Sequence, residues 1–265
     1  MEPLFRAALL LFAVVLTGCA TKPKERADAT KRSPLTPALE RPGLGTSWGE
    51  QRESWVEPAP FARRSAERPS DQARIYYNDH DGAKAMLAFL GGEPRSCEGL
   101  QPSSGGPLRL GLRTGNGTWV ECRESHGRRI ASGERGARYE VVLKNDARRA
   151  IEVLVSVDGL DAMDGKPASF KKRGYVLAPF ETLAVEGFRT SHSTVAAFHF
   201  GSMSDSYGHR RHGNTTNAGI IGVAVFEEKR HPSPSDGSAA SDHAWRATAT
   251  RPAGSGHDFS TPPEA

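Results

Sequence analysis

Between residues 139 and 226 one pattern repeats: a short run of β-branched or aromatic residues, then Gly, Pro, Asn or Asp. The clearest pair is 139–143 and 150–157, with Asn145-Asp146 as the turn between them. Ile151, Val153, Val155 and Val157 recur at period 2, the spacing that puts alternate side chains on one face of a strand. Further strands are expected at 175–177, 182–188, 195–200 and 220–226. Upstream, Leu108, Leu110 and Leu112 alternate with Arg109, Gly111 and Arg113, and Asn116-Gly117 marks a hairpin turn before a strand at 119–122. No long helical period separates these runs. They specify an all-β fold, an antiparallel β-sandwich over residues 108–228. The expected core is Val141, Leu143, Val153, Val155, Val157, Val176, Leu183, Val185, Ala197, Phe198, Phe200, Ile221, Val223 and Val225.

Composition fits a turn-rich core with loose flanks. The 265 residues are 37 % apolar, against roughly 45–50 % on average, a figure that also counts glycine. They include 28 glycines and 18 prolines. This excludes a polytopic membrane protein, a coiled coil and a fully disordered chain. A net charge of +4 is too mild to imply nucleic acid as a partner.

The N-terminus constrains location. Arg6 precedes an apolar run, residues 7–16, that is too short to span a bilayer core of roughly 30 Å as a stable helix. Leu16-Thr17-Gly18-Cys19 closes it and resembles the bacterial lipobox. Residues 1–18 are therefore expected to be a lipoprotein signal peptide, with Cys19 as the lipidated new N-terminus. Several acyl chains, at about 0.8 kcal/mol per buried CH₂, anchor stably where one does not. Ala20 is not the Asp that diverts Gram-negative lipoproteins from the outer membrane. The likeness thus implies export through the inner membrane to a periplasm-facing outer-membrane site. With Cys19 lipidated, Cys97 and Cys122 remain, an even number in a disulfide-permissive compartment.

Residues 19–41 read as a flexible basic tether and residues 229–265 as a disordered tail, with Trp245 and Phe259 as points that dock back. Residues 42–107 are expected to wrap the sandwich, with a short strand at 75–77, a short helix at 81–90 and loops.

Several strings recur together: Arg41-Pro42-Gly43-Leu44-Gly45-Thr46-Ser47-Trp48-Gly49-Glu50, Tyr76-Tyr77-Asn78-Asp79, Ser156-Val157-Asp158-Gly159-Leu160, Gly165-Lys166-Pro167-Ala168-Ser169, Gly174-Tyr175-Val176-Leu177, Val195-Ala196-Ala197-Phe198, Asp205-Ser206-Tyr207 and Ile220-Ile221-Gly222-Val223-Ala224. Over residues 41–228 they resemble a family of bacterial exported proteins and lipoproteins. The resemblance implies one unified domain. It brings no activity, cofactor or catalytic residue.

Three groups of residues carry chemistry. Asp158, Asp161 and Asp164 lie three apart in a loop that leaves a buried strand. Carboxylate-dense loops suit hard cations such as Ca²⁺. The favoured reading is a double turn in which Asp side chains accept backbone hydrogen bonds and glycines take positive φ. The loop 204–217 holds His209, Arg210, Arg211 and His212, and Gly208 and Gly213 argue against a helix there. Basic turns at Lys144, Arg148 and Arg149, at Lys171, Lys172 and Arg173, and at Arg210 and Arg211 would bind anions if they converged. No nucleophile elbow, zinc-protease helix or phosphate loop occurs.

The expectation is a lipid-anchored envelope protein, not an enzyme and needing no cofactor, that displays a β-sandwich for binding or structural work. Its partners would be the membrane through the anchor and an envelope protein or anionic glycan. One alternative is a cation-dependent or acid/base hydrolase using Asp158, Asp161 or Asp164 with His209 or His212. The other is an anion-binding module built from the basic loops.

Overall fold

A computed structural model describes residues 42–88, 93–101, 105–229, 244–248 and 259–263. The expected signal peptide, Cys19 and the expected tether lie outside the described residues, as does most of the expected tail.

The first strands are β1 (Leu44–Glu53), β2 (Trp55–Ala59) and β3 (Asp71–Asn78), followed by helix α1 (His80–Ala88). Next come β4 (Glu93–Ser96), β5 (Leu108–Thr114), β6 (Glu121–Ser125), β7 (Arg128–Ser132) and β8 (Arg138–Asn145). Then follow β9 (Ile151–Val157), β10 (Leu160–Asp161), β11 (Tyr175–Leu177), β12 (Thr182–Val185), β13 (Gly187–Arg189) and β14 (Thr194–Ser202). Helix α2 (Tyr207–His212), β15 (Ile220–Glu227) and β16 (Ala244–Thr248) complete the order.

Two sheets pack into an all-β sandwich. The first runs β1-β14-β8-β12, with β13 on β14 and β5 on β8. The second runs β2-β16-β11-β9-β15-β3-β7-β6-β4, with β10 on β9. Pairing is antiparallel except for β11 with β16 and β3 with β7. At the centre of the second sheet β9 lies between β11 and β15, with Val155 opposite Val223 and Val153 opposite Val225. Its inward valines join the main core. Outward, Leu154 packs with Ala224, Phe226, Val176 and Phe61 in a second apolar cluster. Burial on both faces explains why this strand reads almost continuously apolar.

Aromatic rings fill the space between the sheets. Tyr139 stacks on Phe200 at 4.3 Å and on Phe198 at 5.4 Å, and Tyr77 meets Phe200 at 5.4 Å. Every expected core residue is buried except Leu183, which is half-buried and packs against the core.

Residues 42–107 do more than wrap the domain. They supply β1 to the first sheet and β2, β3 and β4 to the second. A boundary at residue 108 therefore has no structural counterpart. The expected tail also contributes: β16 inserts between β2 and β11, and Phe259 packs on Trp245 and His192. A disulfide joins Cys97 to Cys122, Cα atoms 5.0 Å apart. Cys97 also accepts from Leu112 N–H of β5 (3.0 Å) and donates to Val120 (2.9 Å), at the corner where the sheets meet.

Candidate functional site

The loop that begins at Asp158 takes its shape from two adjacent residues. Asp158 (φ 54) and Gly159 (φ 81) both adopt left-handed backbone, joining β9 to β10 with Leu160 opposite Val157. A two-residue hairpin loop favours this conformation, and Asp-Gly is suited to it.

The turn directs the Asp158 side chain inward. Its carboxylate accepts from Thr46 N–H (2.6 Å), the Tyr77 hydroxyl (2.6 Å) and Gly219 N–H (2.9 Å). Thr46 Oγ1 in turn bonds the hydroxyls of Tyr77 (2.6 Å) and Tyr139 (2.5 Å). This buried network ties β1 and β8 of one sheet to β3 and the β9–β10 turn of the other. Burial pushes the Asp158 carboxyl up to about 6, against the opposing pull of its hydrogen bonds. Burial likewise holds the Tyr77 and Tyr139 hydroxyls well above the usual range, reinforced by the Asp158 charge.

The other two acids of the loop have separate surroundings. Asp161 is buried and accepts from Met163 N–H (2.7 Å). Burial raises it to about 7, partly offset by the Lys172 charge. Asp164 pairs with Lys172 at 2.7 Å nearer the surface. The three carboxylates form no common site. Among the described residues no three His, Cys, Asp or Glu side chains gather as metal ligands.

A second buried acid sits on the outer face of the same sheet. Glu152, fully buried, takes Arg63 through two hydrogen bonds of 2.8 Å, Arg173 Nε at 3.1 Å and Gly174 N–H at 2.7 Å. Arg63 also lies over the Phe226 ring, 3.6 Å from its centroid. Arg173, expected at an anion site, thus fastens the 166–174 loop to the sheet.

The 204–217 loop corrects the expectation of an irregular connection. Ser206 caps α2 by accepting from His209 N–H, and Gly213 (φ 61) ends it in the left-handed conformation. Gly208 is near the start and Gly213 past the end, where glycine costs the helix little. His209 is exposed. His212 Nε2–H donates to the Gly165 carbonyl at 2.9 Å. This contact joins the two loops that carry most of the chain's chemistry.

Between them lies a cleft of about 520 Å³. Asp164, Lys166, Arg211 and His212 line it, together with Tyr207 and the 259–261 segment. The Tyr207 hydroxyl donates to the Thr261 carbonyl (2.8 Å), and Ser260 N–H donates to Arg189 (2.7 Å), which fixes the far wall. Burial raises the Tyr207 hydroxyl above its usual range, and Arg211, hydrogen-bonded to it, pulls the other way.

The basic turns do not all meet here. Arg211 lines the cleft, Arg210 lines a neighbouring hollow beside Trp48, and Lys172 is held on Asp164. Lys171 lies 3.7 Å from Glu67, and Arg148 and Arg149 are exposed in the turn at the opposite end of β9. Sequence reading did not single out Thr46, Tyr139 or Ser260. Thr46 and Ser260 are small polar residues in stretches without apolar period. Tyr139 carried a signal, since it shares a face with the expected core residues Val141 and Leu143.

No family model, curated protein or solved structure matches the chain. The family resemblance therefore rests on the strings quoted above.

Proposed function

We propose that this chain is a lipid-anchored cell-envelope protein, held at the periplasmic side of the outer membrane through Cys19. Its sandwich is displayed for binding or structural work and does not run a reaction. One observation supports the non-catalytic part most. Two buried acids are engaged in architecture: Asp158 by two backbone amides and a tyrosine, Glu152 by two arginines and an amide. The anchor is supported by the Leu16-Thr17-Gly18-Cys19 string and the apolar run before it.

The hydrolase reading ranks second. Asp164 and His212 do line one cleft, which favours it. However, Asp164 is held by Lys172 and His212 Nε2 by a carbonyl, while Asp158 lies in the interior. Fractionating cells that carry Cys19→Ser tests the main proposal. The wild-type chain should be processed, incorporate labelled palmitate and sediment with outer membranes. The variant should remain unprocessed and unlabelled. A Cys19→Ser chain processed and sedimenting like the wild type overturns the anchor.

A further inference from the structure

We infer that the turn at residues 178–181, together with Arg148 and Arg149 of the neighbouring β8–β9 turn, rests on an anionic lipid surface. This relies on the anchored half of the proposal above and adds how the tethered domain meets the membrane.

Phe180 occupies an unfavourable position. Glu181 N–H donates to the Ala178 carbonyl at 3.2 Å, closing a four-residue turn with Pro179 and Phe180 at its centre. Phe180 has φ 61. Proline followed by a positive φ is the type II arrangement, whose third position favours glycine or asparagine. A bulky side chain is strained there. The ring gains little from the fold in return: it is 60 % exposed, the most exposed large apolar side chain among the described residues. Pro179 is exposed beside it, and Ala147 and Ala178 are half-buried. Strain combined with exposure points to a use outside the chain.

Charge names the partner. Arg148 and Arg149 are exposed, and neither guanidinium has an ion pair or hydrogen bond among the described residues. The acids of these two turns are engaged. Asp146 is held by Arg109 at 2.5 Å and by Lys144 at 3.3 Å, and Glu181 accepts from Ala178 N–H at 2.6 Å. The two turns also form one rigid unit. Buried Asn145 donates through Nδ2 to the carbonyls of Arg149 (2.7 Å), Leu177 (3.2 Å) and Ala178 (2.9 Å), and through its N–H to Glu181 (2.9 Å). The result is a small apolar tip flanked by two cations. A bilayer with negative headgroups satisfies both parts: the ring enters the acyl boundary while the arginines meet phosphates. A dissolved anion would leave Phe180 in water. A stable protein interface needs roughly 800 Å² from each partner, far more than this tip offers.

So small a patch suffices on a chain already attached at Cys19, because the tether raises its local concentration at the membrane. The patch lies at the far end of β8 from the start of β1. Residues 19–41 reach up to about 75 Å when extended, well beyond the length of one such strand.

The test reconstitutes the full lipidated chain in vesicles of brominated phosphatidylcholine, either pure or mixed three to one with phosphatidylglycerol, and compares tryptophan quenching of the wild type and Phe180→Trp. Phe180→Trp keeps an aromatic ring and should be quenched more than the wild type in the anionic vesicles, but not in the pure ones. Adding Arg148→Gln and Arg149→Gln should remove most of the extra quenching, since two arginines at such a surface contribute at least about tenfold to partitioning. High salt should do the same. Phe180→Gly should unfold at the same or a higher midpoint, because glycine accepts the turn without strain. Absence of extra quenching in anionic vesicles, as a protein or glycan partner would give, overturns the inference. So does equal extra quenching in pure phosphatidylcholine, extra quenching that survives both arginine substitutions, or a lowered midpoint of Phe180→Gly. The Cys19→Ser fractionation reports the anchor without reference to Phe180, so the two failures are told apart.

Discussion

Asp158 and Asp164 stand six residues apart in one loop, yet they belong to different parts of the molecule. Asp158 points between the sheets and gathers donors from β1, β3 and the residue before β15. Asp164 sits at the rim of the cleft on a lysine. The residue type is the same, and burial decides the role. In the interior a carboxylate must be fully hydrogen-bonded, so it fastens strands. At the rim water screens it, and its ion pair with Lys172 contributes little.

The sharpest way to break this comparison is to remove an interior acid. Glu152→Ala would leave Arg63 and Arg173 buried without their counter-ion, and a stability loss of about 3–5 kcal/mol is expected in chemical denaturation. Asp158→Ala would orphan two amides and leave the Tyr77 hydroxyl with Thr46 Oγ1 alone. It should cost about 3 kcal/mol by the same measurement.

A pH titration sharpens the comparison further. Burial lifts the folded-state carboxyls of Asp158 (about 6) and Asp161 (about 7) above the ordinary aspartate value of 3.8. The folded chain therefore binds these protons more tightly than the unfolded chain. The stability they contribute is fully present below about pH 4 and falls as pH rises through about 7. Asp161→Asn keeps the acceptor for Met163 N–H and should flatten this decline. An unchanged slope would place the titration elsewhere. The smallest effect is expected at the rim: Asp164→Ala removes a partly exposed ion pair and should cost less than about 1 kcal/mol. A loss as large as that of Asp158→Ala would erase the distinction between the two acids.

The sequence made some of this legible and hid the rest for identifiable reasons. The valines of β9 and β15 disclosed their strands because period 2 survives wherever a face is buried. The Asp158-Gly159 turn was legible from its chemistry. By contrast, β1 was obscured because one of its inward positions is Thr46, a polar residue whose burial depends on two tyrosines distant in sequence. Its partner β14 supplies the ladder that its composition does not advertise. β16 is set by neighbours on both sides rather than by its own pattern. α2 was hidden because its two glycines were read as breakers when they sit at the helix ends. The cleft itself joins residues 164–166, 207–212 and 259–261, and no local pattern announces a site assembled from three distant segments.

The most direct measurement compares unfolding midpoints of the wild type, Asp158→Ala and Asp164→Ala under one set of conditions. Asp158→Ala should lower the midpoint clearly, because two buried amides lose their acceptor. Asp164→Ala should leave it nearly in place, because the ion pair with Lys172 is partly exposed. Equal losses in the two variants, or a stable Asp158→Ala chain, would contradict the division between an interior acid that holds the sheets and a rim acid that does not.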